Sequence, residues 1–589
     1  MTAVRRFTAV VCVLAATSLA AQTTGPRKTT TQTPTPKVVP VEPPPAPQVA
    51  PPTEPVTSQV SADTDKDLTN PNAMRLSMDD ALKASMERNV GIAVQRYDVL
   101  EAGQVLRGAY GIYDWLATAD INHSNNKSPQ TSQFFASSSR STVADVAVQQ
   151  TIPTGGTYAV TFNNSRTASS ALGTSVNPAY RSSLGLAFNQ PLLRNFGVDI
   201  TNHNIYIARN TLGINRDAFR AVLMDTAVTT EQAYLDLVYA RQFVDVVKEA
   251  LFLARDQARI TQIRIDVGAS APLDILQPRV QIATEEENLI VAVANVRDAE
   301  DRLRAVMHLD PSDWNRPIIP TSPATYTPVT VDEQQAVAQA IRLRPEFHET
   351  LLTTATRQIQ YLFARNQARP KLDLNLNYNA AGLAGRTAQL DPVTFQPTGQ
   401  FTTTGYSTAL SQVFGNDFPS YTFGVTVGVP IMNIAAKAEA KRAELDVDLA
   451  KTLEEQTRQN IAVQVRKAVR DIDTAAKEIT ASRTAREAAE QNVEAERRRY
   501  ENGMTTNFQV LQIQQQLSAA RATEIQSLVA YNKAVAAYHR AVGDLLDVAN
   551  IRVDEPETQE PRIFSGFARY NWLNYGRDQS TTPTTETKQ

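Results

Sequence analysis

The sequence predicts a mixed α and β chain, mainly α, built from one unit that occurs twice. Three observations carry this: two matching helix starts, strand-like alternation after each, and a long helical run broken by a glycine turn in each half.

The N-terminal segment reads as an export signal. Arg5 and Arg6 precede an apolar run from Phe7 to Ala16, and Ser18 and Ala20 occupy the small-residue cleavage positions. Cleavage after Ala20 makes residues 1–20 a signal peptide and removes Cys12, the single cysteine. The mature chain then holds no thiol for a disulfide or lipid anchor. Residues 21–72 are dense in Pro, Thr, Val and Gln and are expected to form a disordered linker.

The first repeat is assigned to 73–310 and the second to 330–550, joined by a linker at 311–329. LSMDDALKASMERNVGI from Leu76 aligns with VDEQQAVAQAIRLRPEF from Val331. Ser77 then matches Asp332, and Asp80 matches Gln335, both at the spacing that caps a helix start. Met86 and Ile341 fall on the same apolar stripe, and each half runs through its helix into strands.

Those strands rest on alternation. In KLDLNLNYN from Lys371, Leu372, Leu374, Leu376 and Tyr378 oppose Asp373, Asn375, Asn377 and Asn379. Tyr421, Phe423, Val425, Val427 and Val429 repeat the pattern, as do Tyr180, Leu184, Leu186 and Phe188. An apolar face opposed by small and polar residues suits a membrane barrel strand, although a half-buried sandwich strand alternates too. No later stretch reaches the roughly 18 apolar residues of a spanning helix, so membrane residence requires a barrel. Each strand set leaves at a proline, Pro191 and Pro430, the expected strand-to-helix turns. The first half spends 115 positions from Leu76 to Pro191, against 99 from Val331 to Pro430. VADVAVQQTIPTGGTYAVTF from Val143 supplies an added hairpin turning at PTGG, which the sequence neither includes in nor excludes from the main sheet.

The helical runs are long. From Ile434 to Glu501 no Pro or Gly intervenes, giving about 100 Å of helix at 1.5 Å per residue. Its stripe is expected through Leu445, Leu449, Ile461, Val465, Ile472 and Ile479, and its partner runs from near Thr505 to Leu546. Turns fall at Gly268 and Gly503, and LDILQ after the first matches FQVLQ after the second, aligning Leu276 with Leu511. Residues 551–589 form a tail whose stretch from Arg562 is rich in aromatics.

Other functions find little support. A net charge of -3 offers no basic face for nucleic acid. The histidines 123, 203, 308, 348 and 539 lack metal-ligand spacing, and no phosphate loop precedes a helix. The pairs Asp446/Asp448 and Asp471/Asp473 do not share a helix face and are expected to be solvated.

The order of these parts resembles the outer-membrane efflux protein family, of which TolC is the best-known member, over about residues 74–550. RRRYENGMTTNFQVLQIQQQLSAARATEI from Arg497 is similar to its most recognisable stretch. The resemblance implies a TolC-like duplicated repeat that gives four strands per protomer to a trimeric barrel and four helical struts to a periplasmic tunnel. It implies a homotrimer in outer-membrane lipid, working with a periplasmic adaptor and an inner-membrane transporter in efflux or type I secretion, with no enzyme activity and no cofactor. If the added hairpin joins, the barrel exceeds the family's twelve strands. The alternative is a non-channel periplasmic adaptor or coiled-coil stalk.

The resemblance also implies that the turns at Gly268 and Gly503 form the periplasmic tip that meets the adaptor, and it places a gate above them. The family's paired acidic positions fall on Gln509 and Gln512. Asp274 stands at a family position that links neighbouring helices, or else caps the helix opened by Pro272. Tyr500 matches an aromatic partner in that link, while Thr505 replaces an expected basic one.

Overall fold

The computed structural model describes residues 70–129, 136–171, 174–390, 397–552, 554 and 556. The signal peptide with Cys12, nearly all of the 21–72 linker and the aromatic tail from Arg562 lie outside the described residues.

The repeat is visible in how its helices begin. α1 (Met78–Arg88) starts where the Ser77 hydroxyl accepts Asp80 N–H at 3.1 Å. Its counterpart α5 (Glu333–Leu343) starts where Asp332 accepts Gln334 N–H at 2.9 Å. Each half then breaks at an equivalent place, so the one helix expected before the strands is two. In the first half Asn89 caps α2 (Val90–Ala109), accepting Gly91 N–H at 2.8 Å. In the second, Pro345 opens α6 (Pro345–Gln367), because a proline has no N–H to continue the preceding helix.

One antiparallel sheet holds seven strands: β2 (Leu116–Lys127), β3 (Ser138–Thr151), β4 (Thr157–Ser169), β5 (Val176–Pro191), β7 (Lys371–Leu390), β8 (Pro397–Thr403) and β9 (Phe418–Gly428). Six form the continuous row β2-β3-β4-β5-β7-β9, with β9 on the lower part of β7 and the short β8 on its upper part. The added hairpin is β3–β4. It turns at Ile152–Gly156, and both of its strands pair within this sheet along their lengths. Two further three-residue strands, β1 (Met74–Leu76) and β6 (Ile318–Pro320), pair in parallel and tie the start of the first repeat to the stretch after it.

Pro191 ends β5, and a one-turn helix at Val198–Thr201 leads into α3 (His203–Asp266). Pro430 follows β9 and leads into α8 (Ile434–Glu501). At 64 and 68 residues, α3 and α8 each run about 100 Å. Their hairpin partners are α4 (Leu276–Met307) and α9 (Asn507–Val542).

Two further details differ from the sequence reading. Ile461, Val465, Ile472 and Ile479 are buried, but Leu445 and Leu449 are exposed, and Ala443, Val447 and Ala450 face the interior instead. The small residues let α8 approach α6 closely there, which turns the leucines outward. The second run ends at Val542 rather than Leu546, because Gly543 takes a left-handed conformation against the backbone of Leu343 and Arg344.

Nearest the sheet the helices lie in the row α2–α3–α6–α8, and toward the turns in the row α4–α3–α9–α8. Between the rows the repeat shows again in two buried tyrosines. The Tyr234 hydroxyl donates to the Leu76 carbonyl at 3.1 Å, and the Tyr531 hydroxyl donates to that of Thr327 at 2.7 Å. Each fastens the strap of chain that crosses its hairpin. Buried Glu300 receives Arg241 at 2.8 Å, Arg304 at 3.1 Å and Ile318 N–H at 3.1 Å, so its charge is fully compensated.

Candidate functional site

The sheet has two chemically distinct faces. Following the register, Val148, Val160, Leu186, Tyr378 and Tyr421 lie side by side, and the next row on the same face is Gln150, Tyr158, Phe188, Leu376 and Phe423, apolar but for the glutamine. Between these rows, on the opposite face, run Ala159, Ala187, Asn377 and Thr422, followed by Asn189, Asn375 and Gly424. The pleat therefore turns each strand's alternation into one continuous apolar surface and one polar surface. Tyr421 is 86% exposed and Phe423 70%, so this part of the apolar surface is left uncovered by the described residues.

Near the loops, α7 (Tyr406–Gly415) lies against that apolar surface. Gly382 permits this: a Cβ there would stand 2.0 Å from the Ala409 carbonyl oxygen. The Tyr406 hydroxyl donates to Asn164 at 2.5 Å, and Gln412 accepts Leu383 N–H at 2.8 Å.

At the other end of the molecule both hairpins reverse by the same device. Gly268 has φ +76° and Gly503 has φ +71°, values that cost glycine little. Ala269 N–H reaches the Arg264 carbonyl at 2.7 Å, and Met504 N–H reaches that of Arg499 at 2.9 Å. These six-to-one bonds satisfy carbonyls that a helix end leaves unpaired. Around the turns Val267, Leu273, Leu276, Met504 and Phe508 are exposed, an apolar tip. The matched leucines part company here, since Leu511 is buried and Leu276 is not.

A buried polar network joins the hairpins just above the turns. Gln257 on α3 donates its amide to Asn507 on α9 at 2.7 Å, and the Asn507 amide reaches the Asp274 carbonyl at 3.4 Å. The Thr261 and Tyr500 hydroxyls meet at 3.4 Å. Arg264 donates to the Tyr500 carbonyl at 2.7 Å, and its guanidinium lies 4.8 Å from the centre of the Tyr500 ring. Within the chain, then, Tyr500 is held by Arg264 of the first hairpin. The Asp274 carboxylate accepts Ala271 N–H at 3.1 Å, the capping arrangement. Gln509 and Gln512 share the exposed face of α9, opposite buried Val510 and Ile513. Sequence reasoning missed Gln257, Arg264 and Asn507, although a polar residue on the inward stripe of a long helix is a signal that could have found them.

A second cluster lies nearer the sheet, where α3, α6, α8 and α9 meet. His348 and Asp217 pair at 2.5 Å, and the hydrogen bond that the imidazole donates to the Asp217 carboxylate raises the histidine's pKa. Arg540 bridges Asp225 at 2.5 Å and Glu346 at 2.6 Å. Burial acts to raise Glu346, but Arg344 and Arg540 overcome it and bring its carboxyl down to about 2. Among the described residues Glu349 has no arginine partner, and burial with the neighbouring Asp217 and Glu346 charges outweighs His348 and pushes it up to about 7.

No helix among the described residues is long and apolar enough to cross a membrane. A sheet with one apolar and one polar face, continued by helices of about 100 Å, defines the protomer of an outer-membrane channel that extends into the periplasm. The chain belongs to the outer membrane efflux protein family, whose profile matches residues 157–307 and 336–544. The match begins at the first residue of β4, so β2 and β3 lie outside it. The chain is similar to the outer membrane efflux protein BepC of Brucella suis, 23% identical over 344 residues that span 58% of this chain and 68% of that one. Its fold is similar to that of the outer-membrane channel OprN, at 14% identity and TM-score 0.56, covering 81% of this chain and 91% of that one. It is also similar to the open-state MtrE channel of Neisseria gonorrhoeae, at 13% identity and TM-score 0.53, covering 80% and 89%. The family is one of channels and not of enzymes.

Proposed function

We propose that three copies of this chain form one passive conduit across the outer membrane and periplasm. It exports small molecules or proteins that an inner-membrane transporter delivers through a periplasmic adaptor. The observation that carries this reading is a pair of exposed apolar stripes on the outermost helices, with no partner among the described residues. On α2, Ile92, Val99 and Leu106 pack inward, while Val90, Val94, Tyr97 and Val105 line the opposite side, Tyr97 being 72% exposed. On α8 the exposed stripe is Leu445, Leu449 and Leu453. A helix apolar on two faces needs two neighbours. Since α2 and α8 are the two ends of the row nearest the sheet, the stripe of one copy fits that of the next, and rotation closes the ring.

The apolar face of the sheet then meets lipid and the polar face lines water. At the far end, the apolar tip around Gly268 and Gly503 is the surface offered to the adaptor. Gln509 and Gln512 stand where the tunnel is narrowest, as rings of neutral amides. The energy for export comes from the transporter.

Cross-linkers at Ala269 or Met504, both exposed at the turns, test the orientation in cells. Capture of an adaptor there supports the reading, and capture only from strand ends such as Asn125 overturns it. A detergent-extracted trimer that conducts in a planar bilayer supports the channel, whereas a soluble monomer refutes it.

A further inference from the structure

We infer that all six long strands of each copy are wall strands, so that three copies close an eighteen-stranded barrel. Its seams are formed by β2 of one copy pairing antiparallel with β9 of the next. The inference rests on the trimeric reading above and adds to it the wall's composition and the surface that joins the copies.

The first ground is integration. β4 is hydrogen-bonded to β3 on one side and β5 on the other, and β3 is paired with β2 along its length. A four-stranded contribution would require stripping β3 from β4 along the whole ladder and leaving the β2–β3 hairpin outside the wall with both of its edges bare. In lipid an open edge is not tolerated.

The second ground is direction. The chain enters the sheet from α2 and leaves it into α8. β2 runs away from the helices, each neighbour along the row reverses, and β9, sixth in the row, returns toward them. The two free edges therefore run in opposite senses, as an antiparallel seam needs. Six strands are too few to close alone, since membrane barrels begin at about eight.

The third ground is the facing of side chains. On β2, Ala117, Ala119 and Ile121 share the face of Val148, Val146 and Ala144, which is the apolar one. Thr118, Asp120 and Asn122 share the polar one. Ile121 is 80% exposed, an unfavourable placement for a strand in water and an ordinary one for a strand in lipid. β9 presents Phe423, Val425 and Val427 on the same apolar side. At 12 and 11 residues the two edges also match in length.

The fourth ground is stagger. A line across the ladder from Leu116 passes Gln149, Ala159, Ala187 and Asn377 to reach Thr422, six residues short of the end of β9 at Gly428. Six residues over five strand-to-strand steps correspond to a tilt of about 40°, within the range of closed barrels. Setting Leu116 of the next copy beside Gly428 keeps that tilt near 35° and brings Ala119 opposite Val425 on the outer face. Eighteen strands at such tilts give a backbone diameter of about 36 Å, against about 24 Å for twelve.

Two measurements test this. Cryo-electron microscopy of the unmodified, detergent-purified protein counts copies and wall strands together, and six strands per copy are expected. In parallel, Ala119→Cys combined in turn with Phe423→Cys, Val425→Cys and Val427→Cys is oxidised in intact membranes. The Val425 pair is expected to convert monomer into covalent dimers and trimers on a denaturing gel, while single-cysteine chains stay monomeric. Three copies with four wall strands each, or failure of all three pairs, overturns the inference and leaves the trimer standing. Six wall strands per copy in an assembly of some other number overturns the trimer and leaves the seam standing.

Discussion

Asn507 is the point at which the first hairpin is fastened to the second, and Asn507→Ala tests how firmly. In the native chain its side-chain oxygen receives the Gln257 amide at 2.7 Å, in a place where Gln257 is 2% exposed. Truncation removes the acceptor but leaves the amide dry and unpaired. The cost of a buried neutral donor left without a partner is about 1–3 kcal/mol. Since α9 continues well beyond the site, this cost should appear as local opening of the tip and not as global unfolding. Hydrogen exchange of the amides around 257–268 and 504–513, followed by mass spectrometry in detergent, should speed up about fivefold to 150-fold. Replacing both partners, as in Gln257→Leu with Asn507→Leu, removes donor and acceptor together, and exchange should return most of the way to the native rate. A single variant within twofold of native, or a double variant that opens further than the single, would refute the view that this network clamps the hairpins.

In the proposed three-copy tunnel Gln509 and Gln512 form neutral rings that should hold a trivalent cation poorly, so single-channel conductance should resist block from the periplasmic side, and Gln509→Asp with Gln512→Asp should create sensitivity. Strong block of the native channel would place the gate elsewhere. Gly382→Val should push α7 off the sheet, because its Cβ has no room beside Ala409; protease cleavage within 404–417 should rise while the helical hairpins stay protected. Glu349 binds its proton more tightly folded than unfolded, so it lowers stability as pH rises from about 4.5 to about 7. Glu349→Gln should abolish that loss in thermal melts across the window, and an unchanged pH slope would count against it. Glu346 has the opposite sign: its stabilisation holds above about 4.5 and fades as pH falls toward 2, and Glu346→Gln should remove that acid dependence.

Much of the architecture is legible in the sequence because its signals are local. Ser77 and Asp332 announce helix starts by their own chemistry, Gly268 and Gly503 mark reversals, and alternation fixes which side of each strand is apolar. What stays hidden depends on neighbours distant in the chain. That Leu445 and Leu449 face outward follows from how closely Ala443 and Ala450 bring α8 to α6, and no helical period reports that. The candidate site is less legible still. Tyr500 and Asp274 are visible by resemblance, but Arg264 and Asn507 meet Tyr500 and Gln257 across more than 230 positions. Whether the β3–β4 hairpin joins the sheet is likewise a matter of pairing, which the surplus length of the first half does not reveal.

Because the sheet is entered and left on the side of the helices, the number of strands that cross its full height is confined to even values, the short β8 not being one of them. A single added strand would strand the chain on the far side of the membrane, with no route back to α8. Growth therefore comes one hairpin at a time, and in the proposed three-copy assembly each added hairpin would bring six strands. On that reading the circumference of the mouth is a stepped quantity, twelve strands or eighteen, with α2, α3, α6 and α8 unchanged. In such an assembly the width of the mouth is set by the hairpins of the sheet and the calibre of the tube by the helices, so one can change without the other.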